Sequence, residues 1–315
     1  MDINRRDFLK VASAGGVLLS GVGSAQAREA KPRIKDAVGM LYDSTVCTGC
    51  KACVSACKQY NEMPPSFSSN DKLWDDPLDN DSKTLNLIKL YKNGTAAVKD
   101  REKDGHAYIK RQCMHCVDAA CTSACPVSAL KKNEKTGIVM YNVDACIGCR
   151  YCQIACPFNI PKFEWEKTFP QIRKCQLCSH RIEKGGYSAC AEFCPTGATI
   201  FGKMDDLLEE AKKRLTYKPG EYRKYPVARV DGKEKTERLV TPYVPKVYGE
   251  LDGGGTQVLY LSGVPFEKLG LPDLGPKSVA QQSETIQHTI YKGMIAPIVV
   301  LGGLVYLVHK NTKDK

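Results

Sequence analysis

The sequence predicts an α+β fold of short strands and helices: two interleaved units of one kind, a C-terminal wrap and a single transmembrane helix. Three observations carry that prediction. All sixteen cysteines lie within residues 47–194, in four groups of four. The groups alternate between two types, so the chain holds an internal repeat. Near the C-terminus, residues 293–308 are a run of sixteen uncharged residues.

The first group is Cys47, Cys50, Cys53 and Cys57, and the second is Cys113, Cys116, Cys121 and Cys125. The third is Cys146, Cys149, Cys152 and Cys156, and the fourth is Cys175, Cys178, Cys190 and Cys194. Groups one and three read C-x-x-C-x-x-C-x-x-x-C, a spacing used to hold cubane iron–sulfur clusters. Three thiolates within seven residues wrap one corner of a cluster in a single loop. The fourth, carried onward by a short helix, then reaches a different cluster. Proline follows the last cysteine in three groups (Pro126, Pro157, Pro195), as in the bacterial ferredoxin run. Four [4Fe–4S] clusters on two interleaved bacterial-ferredoxin-like units are therefore expected. A disulfide scaffold fits less well, because cysteines three residues apart are poorly placed to bridge distant strands. Structural zinc accommodates groups two and four but not the tight triplets of one and three. No C-x-x-C-H occurs, so covalent haem has no attachment site.

The chain opens with Arg5-Arg6-Asp7-Phe8-Leu9-Lys10, a small and apolar run, and Ala25-Gln26-Ala27. Paired arginines before such a run mark a twin-arginine export signal, here residues 1–27, ending at an A-x-A cleavage pattern. That route moves folded proteins, which suits a chain that receives its clusters in the reducing cytoplasm. From residue 28, Met40-Leu41-Tyr42 forms a short apolar segment feeding the first group, as residues 138–143 feed the third. Gly49 and Gly148 precede the second cysteine of their loops, where the backbone must turn tightly. Groups two and four follow basic residues (Lys110-Arg111, Arg173-Lys174) and leave through small, apolar segments. Each pair of an I-type and a II-type group can make one ferredoxin-like unit, and the four-cluster domain spans residues 28–203.

An insertion, 59–105, separates groups one and two. It begins as loop at Pro64-Pro65, and strands are expected over 85–91 and 107–110. Residues 204–285 form the wrap. It starts with a helix over 205–215, acids first and bases last to match the helix dipole, with an apolar face of Leu207, Leu208, Ala211 and Leu215. Residues 258–261 are its best strand. Gly253-Gly254-Gly255 lacks a following Gly-Lys-Ser/Thr and is no phosphate-binding loop. The anchor, 286–310, contains nineteen residues from Ile290 that would span about 28 Å as a helix, with Lys292 snorkelling. His309, Lys310, Lys313 and Lys315 then place the tail, 311–315, in the cytoplasm.

At 315 residues with a net charge of +11, the chain scatters its basic residues among acids rather than gathering them in one stripe. Nucleic-acid binding is a poor explanation of that pattern. No nucleophile–base pair or open metal site stands out, so no catalytic residue is assigned.

The four groups, with eleven residues between Cys178 and Cys190, resemble the sixteen-cysteine electron-transfer subunits of membrane-bound oxidoreductases. Stretches at 40–45, 112–118, 126–132, 253–259 and 286–294 are similar to the hydrogenase-2 iron–sulfur subunit, the HybA family. The insertion after Cys57 is the main departure. The resemblance implies a relay from the small and large subunits of a nickel–iron hydrogenase to a multi-span, quinone-reactive membrane subunit. It also implies crossed ligation. Cluster A takes Cys47, Cys50, Cys53 and Cys194, and cluster B takes Cys175, Cys178, Cys190 and Cys57. Cluster C takes Cys113, Cys116, Cys121 and Cys156, and cluster D takes Cys146, Cys149, Cys152 and Cys125. His115, inside group two, reads as a packing residue, since four thiolates already suffice. The alternatives are the same relay for a molybdopterin enzyme such as formate dehydrogenase, whose relay subunit lacks an export signal, and a zinc-binding assembly scaffold.

Overall fold

The computed structural model describes residues 28–312. The export signal expected over 1–27, with Arg5 and Arg6, and the tail residues 313–315 lie outside the described residues. The described residues divide into two units: 30–280, and a second that takes 28–29 with 281–312.

In the larger unit, β1 (Val38–Asp43) leads into the first cysteine group and α1 (Ala52–Tyr60) carries Cys53 and Cys57. The 59–105 segment holds β2 (Leu87–Lys92) and β3 (Val98–Lys99), which flank β4 (Gly105–Arg111) in a three-stranded sheet. Group two carries α2 (Ala120–Ser123), and an antiparallel hairpin of β5 (Leu130–Lys132) and β6 (Val139–Tyr141) joins it to group three. Then come α3 (Tyr151–Ala155), the short pair β7 (Lys162–Phe163) and β8 (Ile172–Arg173), and α4 (Ser179–Ile182) and α5 (Ala189–Glu192). After group four follow β9 (Thr199–Lys203), α6 (Met204–Leu215), β10 (Tyr222–Pro226), β11 (Ala228–Arg229), β12 (Lys235–Leu239) and β13 (Val258–Leu261).

Strand pairing shows how the ferredoxin-like units interleave. β1, before group one, runs antiparallel to β9, after group four, with Met40 opposite Phe201 and Tyr42 opposite Thr199. α1 packs on α5 in the same half. Inside that frame, the β5–β6 hairpin and the packing of α2 on α3 join groups two and three. The packing units are therefore one with four and two with three, and the inner unit is inserted into the outer.

The central sheet has the order β11-β9-β1-β13, with β13 parallel to β1. The expected wrap thus supplies one of its strands. Met40, Tyr42, Val258 and Tyr260 face the core that holds the thiols, while Leu41, Leu259 and Leu261 pack with Met204, Leu207 and Ala211 of α6. That is the two-residue period of strands covered on both faces. Fully buried Leu207 alone contributes about 1.5–3 kcal/mol.

Of the bases at the end of α6, Lys212 and Lys213 are exposed and Arg214 is not. Arg214 is 0% exposed. Its guanidinium lies 2.9 Å from Asp43 Oδ2 and 2.9 Å from Glu210 Oε1, and it stacks on the Tyr225 ring at 4.9 Å. Asp43, at the end of β1, also accepts the Tyr243 hydroxyl at 2.9 Å and the Thr45 backbone N–H at 3.0 Å. This buried cluster clamps the loop that opens group one onto α6.

In the second unit, α7 (Val279–Thr312) is one helix of 34 residues. The Gln281 side-chain amide donates to the Arg28 carbonyl at 2.6 Å, and Arg28 pairs with Glu284. Among the described residues, no helix is long and apolar enough to cross a membrane. The single span expected over 286–310 is therefore not supported here. The turns at Gln281–Glu284 and at His309 and Lys310 are polar, and the side chains of 287–300, which include half of the uncharged run, lie outside the described residues.

Replacing Arg214 with Met leaves the Asp43 carboxylate buried without its cation, which is expected to cost about 3–5 kcal/mol. Denaturant titration followed by cluster absorbance checks this. Adding Asp43→Asn should recover part of the loss. An unchanged midpoint in the single variant would show that the pair contributes nothing.

Candidate metal centres

Each C-x-x-C loop turns through a left-handed residue just before its second cysteine. These are Gly49 (φ +73°), His115 (+47°), Gly148 (+71°) and Leu177 (+53°). The turn points backbone N–H groups at sulfur: Gly49 N lies 3.4 Å from Cys47 Sγ, and Leu177 N lies 3.3 Å from Cys175 Sγ. Such a conformation costs a residue other than glycine about 1–2 kcal/mol. His115 and Leu177 are held in it by complete burial, which is why sequence inspection found the turn only at the two glycines. A second left-handed residue follows each Cys-Pro step at Ser128, Asn159 and Gly197. Beyond two of these turns, Ala129 N donates to Cys125 Sγ at 3.2 Å and Thr199 N to Cys194 Sγ at 3.4 Å.

All sixteen cysteines are free thiols, and their electrostatic neighbours cross between groups. Cys194 lies by Cys47 and Cys53, whereas Cys57 faces Cys190 and Cys178 and is felt by Cys175. Cys156 lies with Cys113, Cys116 and Cys121. Cys125, Cys146, Cys149 and Cys152 line one cavity, capped by Ile147 and Arg150. Links between these sets run from Cys53 to Cys190, from Cys175 to Cys113 and from Cys121 to Cys152. Cys50 is exposed and Cys125, Cys146 and Cys149 are partly so, while Cys57, Cys175, Cys178 and Cys190 are all buried.

Burial, reinforced by neighbouring thiols, pushes Cys53, Cys57 and Cys121 up to about 12 and Cys152 to about 11. These donors resist ionising by themselves, so a cationic iron core must compensate them, and its insertion expels protons. Among the described residues, no three His, Cys, Asp or Glu side chains converge tightly enough to hold a single metal ion.

Two buried lysines, Lys110 and Lys174, and the half-buried Lys132 surround the thiols. Lys132 Nζ donates to the Cys116 carbonyl at 2.8 Å and to Gln257 Oε1 at 2.7 Å. Lys174 Nζ donates to the Cys175 carbonyl at 2.9 Å. Lys110 is 0% exposed, and burial would lower its pKa, but Cys190 and Cys53 beside it outweigh that and raise it. His115 Nδ1 accepts the Val139 N–H at 3.1 Å, and burial keeps the ring neutral, a packing role. Gln257, buried at the start of β13, donates to the Thr136 carbonyl at 3.0 Å and receives Lys132. It rivets the inner unit to the sheet of the outer one. Nothing in its sequence surroundings marks it for that task.

A Cβ on Gly49 would stand 2.4 Å from the Tyr108 ring, whereas one on Gly148 would stand 3.6 Å from Phe163. Both positions carry the left-handed strain of about 1–2 kcal/mol, but only Gly49→Ala adds a clash. Gly49→Ala is therefore expected to lose about one cluster's iron of the four, and Gly148→Ala to stay loaded. Iron and acid-labile sulfide analysis compares them, and equal contents would remove Tyr108 from the explanation.

Residues 105–204 match the family model of the 4Fe-4S dicluster domain. Over 324 residues the chain is 49% identical to the hydrogenase-2 operon protein HybA of Escherichia coli O157:H7, covering 99% of this chain and 97% of that protein. It is 28% identical over 305 residues to a formate dehydrogenase iron-sulfur subunit of Haemophilus influenzae, covering 96% and 86%. With the formate dehydrogenase-O iron-sulfur subunit of Escherichia coli K12 it shares 32% over 215 residues, 68% of this chain and 67% of that one. Sixteen grouped thiols and these likenesses together establish an iron–sulfur electron-transfer protein with four [4Fe–4S] clusters, and the chain belongs to the HybA family.

Proposed function

We propose that this protein relays electrons from a nickel–iron hydrogenase to a quinone-reactive integral membrane subunit, on the periplasmic face of the cytoplasmic membrane. The observation that carries the reading is the near-full-length likeness to HybA. The clusters supply one-electron chemistry at potentials the protein tunes. Cluster A takes Cys47, Cys50, Cys53 and Cys194, and B takes Cys175, Cys178, Cys190 and Cys57. Cluster C takes Cys113, Cys116, Cys121 and Cys156, and D takes Cys146, Cys149, Cys152 and Cys125. The crossed thiol neighbours support these sets and the order A–B–C–D. Exposed Cys50 at A and the partly exposed Cys125, Cys146 and Cys149 at D suit a wire whose ends meet partners. Exposed Ile147 and Ile154 offer an apolar docking face beside D. Export rests on Arg5 and Arg6, and anchoring rests on the uncharged run 293–308. A relay for a molybdopterin enzyme is the second reading, favoured by the likeness to formate dehydrogenase subunits. The catalytic subunit that co-purifies from membranes decides between them.

Crossed ligation separates Cys57 from its sequence neighbours. Serine is a harder ligand than thiolate and shifts or destroys whichever cluster it touches. In redox-titrated electron paramagnetic resonance spectra, Cys57→Ser and Cys175→Ser should alter one signal and Cys50→Ser another. If Cys57→Ser matches Cys50→Ser instead, each group holds its own cluster.

For the location, a stop codon after Gln282 should release a brown, soluble protein and abolish hydrogen-to-quinone electron flow. Lysine at both Arg5 and Arg6 should leave loaded precursor in the cytoplasm. Retention of the truncated chain in washed membranes, or normal export of the double variant, counts against the corresponding half of the proposal.

A further inference from the structure

Lys110 stands apart from the other buried lysines. Its position on β4, opposite Ile88 of β2, is locked by the Tyr260 hydroxyl, which donates to its backbone carbonyl at 2.9 Å. The side chain is fully enclosed. Lys58, Lys132 and Lys174 each donate to carbonyl oxygens. Lys110 Nζ makes no well-formed hydrogen bond among the described residues. A lone ammonium taken out of water costs several kcal/mol, and it persists where an anion compensates it.

The groups facing that ammonium are the thiols of Cys53, Cys190 and Cys57 and the phenol of Tyr260. Under the ligand sets proposed above, Cys53 belongs to cluster A, and Cys57 and Cys190 belong to cluster B. A cubane held by four thiolates is anionic, so two clusters held by these thiols would share this one cation. In the other half of the wire, Lys132 and Lys174 are engaged by carbonyls. In the A/B half the Lys110 ammonium turns to sulfur instead, with the Cys190 thiol beside it.

We propose that Lys110 is the shared counter-ion of clusters A and B, raising the reduction potential of both. Each arriving electron meets a positive charge already in place, so no proton has to accompany it. The charge acts through a low-dielectric interior, where salt does not screen it. It has no such hold on C and D.

The test measures all four midpoint potentials in the intact, full-length protein by dithionite titration with electron paramagnetic resonance, alongside iron and sulfide content. In Lys110→Met, two of the four couples should move to lower potential, each by about tenfold in the reduced-to-oxidised ratio, ~59 mV for one electron. Lys110→Arg keeps the charge and should leave all four near their original values. Four unchanged midpoints in a fully loaded Lys110→Met protein overturn the proposal, as do equal shifts in the two variants. If Lys110→Met fails to load, loading of Lys110→Arg supports a required cation, and failure of both overturns it. The ligand sets are judged separately by the Cys57→Ser spectra. If those sets fail, Lys110→Met still shifts two couples, because Cys53 and Cys190 lie in different groups under either pairing.

Discussion

Antiparallel pairing of β1 with β9 holds the first cysteine group against the fourth, and the rest of the structure depends on it. The two strands are separated by 155 residues, Asp43 to Thr199 being the loop they close. Closing so long a loop has an entropic cost that local contacts cannot offset. It is met by strands buried on both faces, with the α6 side chains on one side and the thiol-bearing core on the other. β13 adds to the same sheet from the far end of the unit. Within this frame the second and third groups sit as a hairpin-linked pair.

Charge is managed inside this frame rather than at its surface. Asp43, Arg214, Glu210 and Tyr243 satisfy one another beneath the loop that opens group one. Lys132 and Lys174 are tied to backbone carbonyls, and Lys110 is left to face sulfur. Burial, and then repulsion from neighbouring thiols, works against thiolate formation. The protein is therefore built to be complete only when iron and sulfide bring their positive core. Metal insertion and folding are coupled in such a donor set.

Much of the local structure was legible in the chain. The helix expected over 205–215 is α6, the strand expected over 258–261 is β13, and the strands expected around 85–91 and 107–110 are β2 and β4. Each is short and periodic, and its own side chains decide it. The turns at Gly49 and Gly148 were visible because glycine marks a left-handed residue, while the equivalent turns at His115 and Leu177 carry no such mark. Nothing local separates buried Arg214 from the exposed Lys212 and Lys213 before it. Its partner Asp43 lies 171 positions away.

The sequence by itself determined the number of clusters and the chemistry of their ligands, since thiol spacing within one loop is a property of a few adjacent residues. It also determined where the repeat lies and which segments can be strands. Tertiary structure decided which groups pack together. One with four and two with three is a choice made by strand pairing and helix packing across the chain, and the linear I–II–I–II order does not reveal it. Tertiary structure alone also turned Gln257 into the rivet between the units and left Lys110 without a carbonyl to bond. Both outcomes depend on which backbone groups happen to be within reach after the sheet closes, and no residue type encodes that in advance.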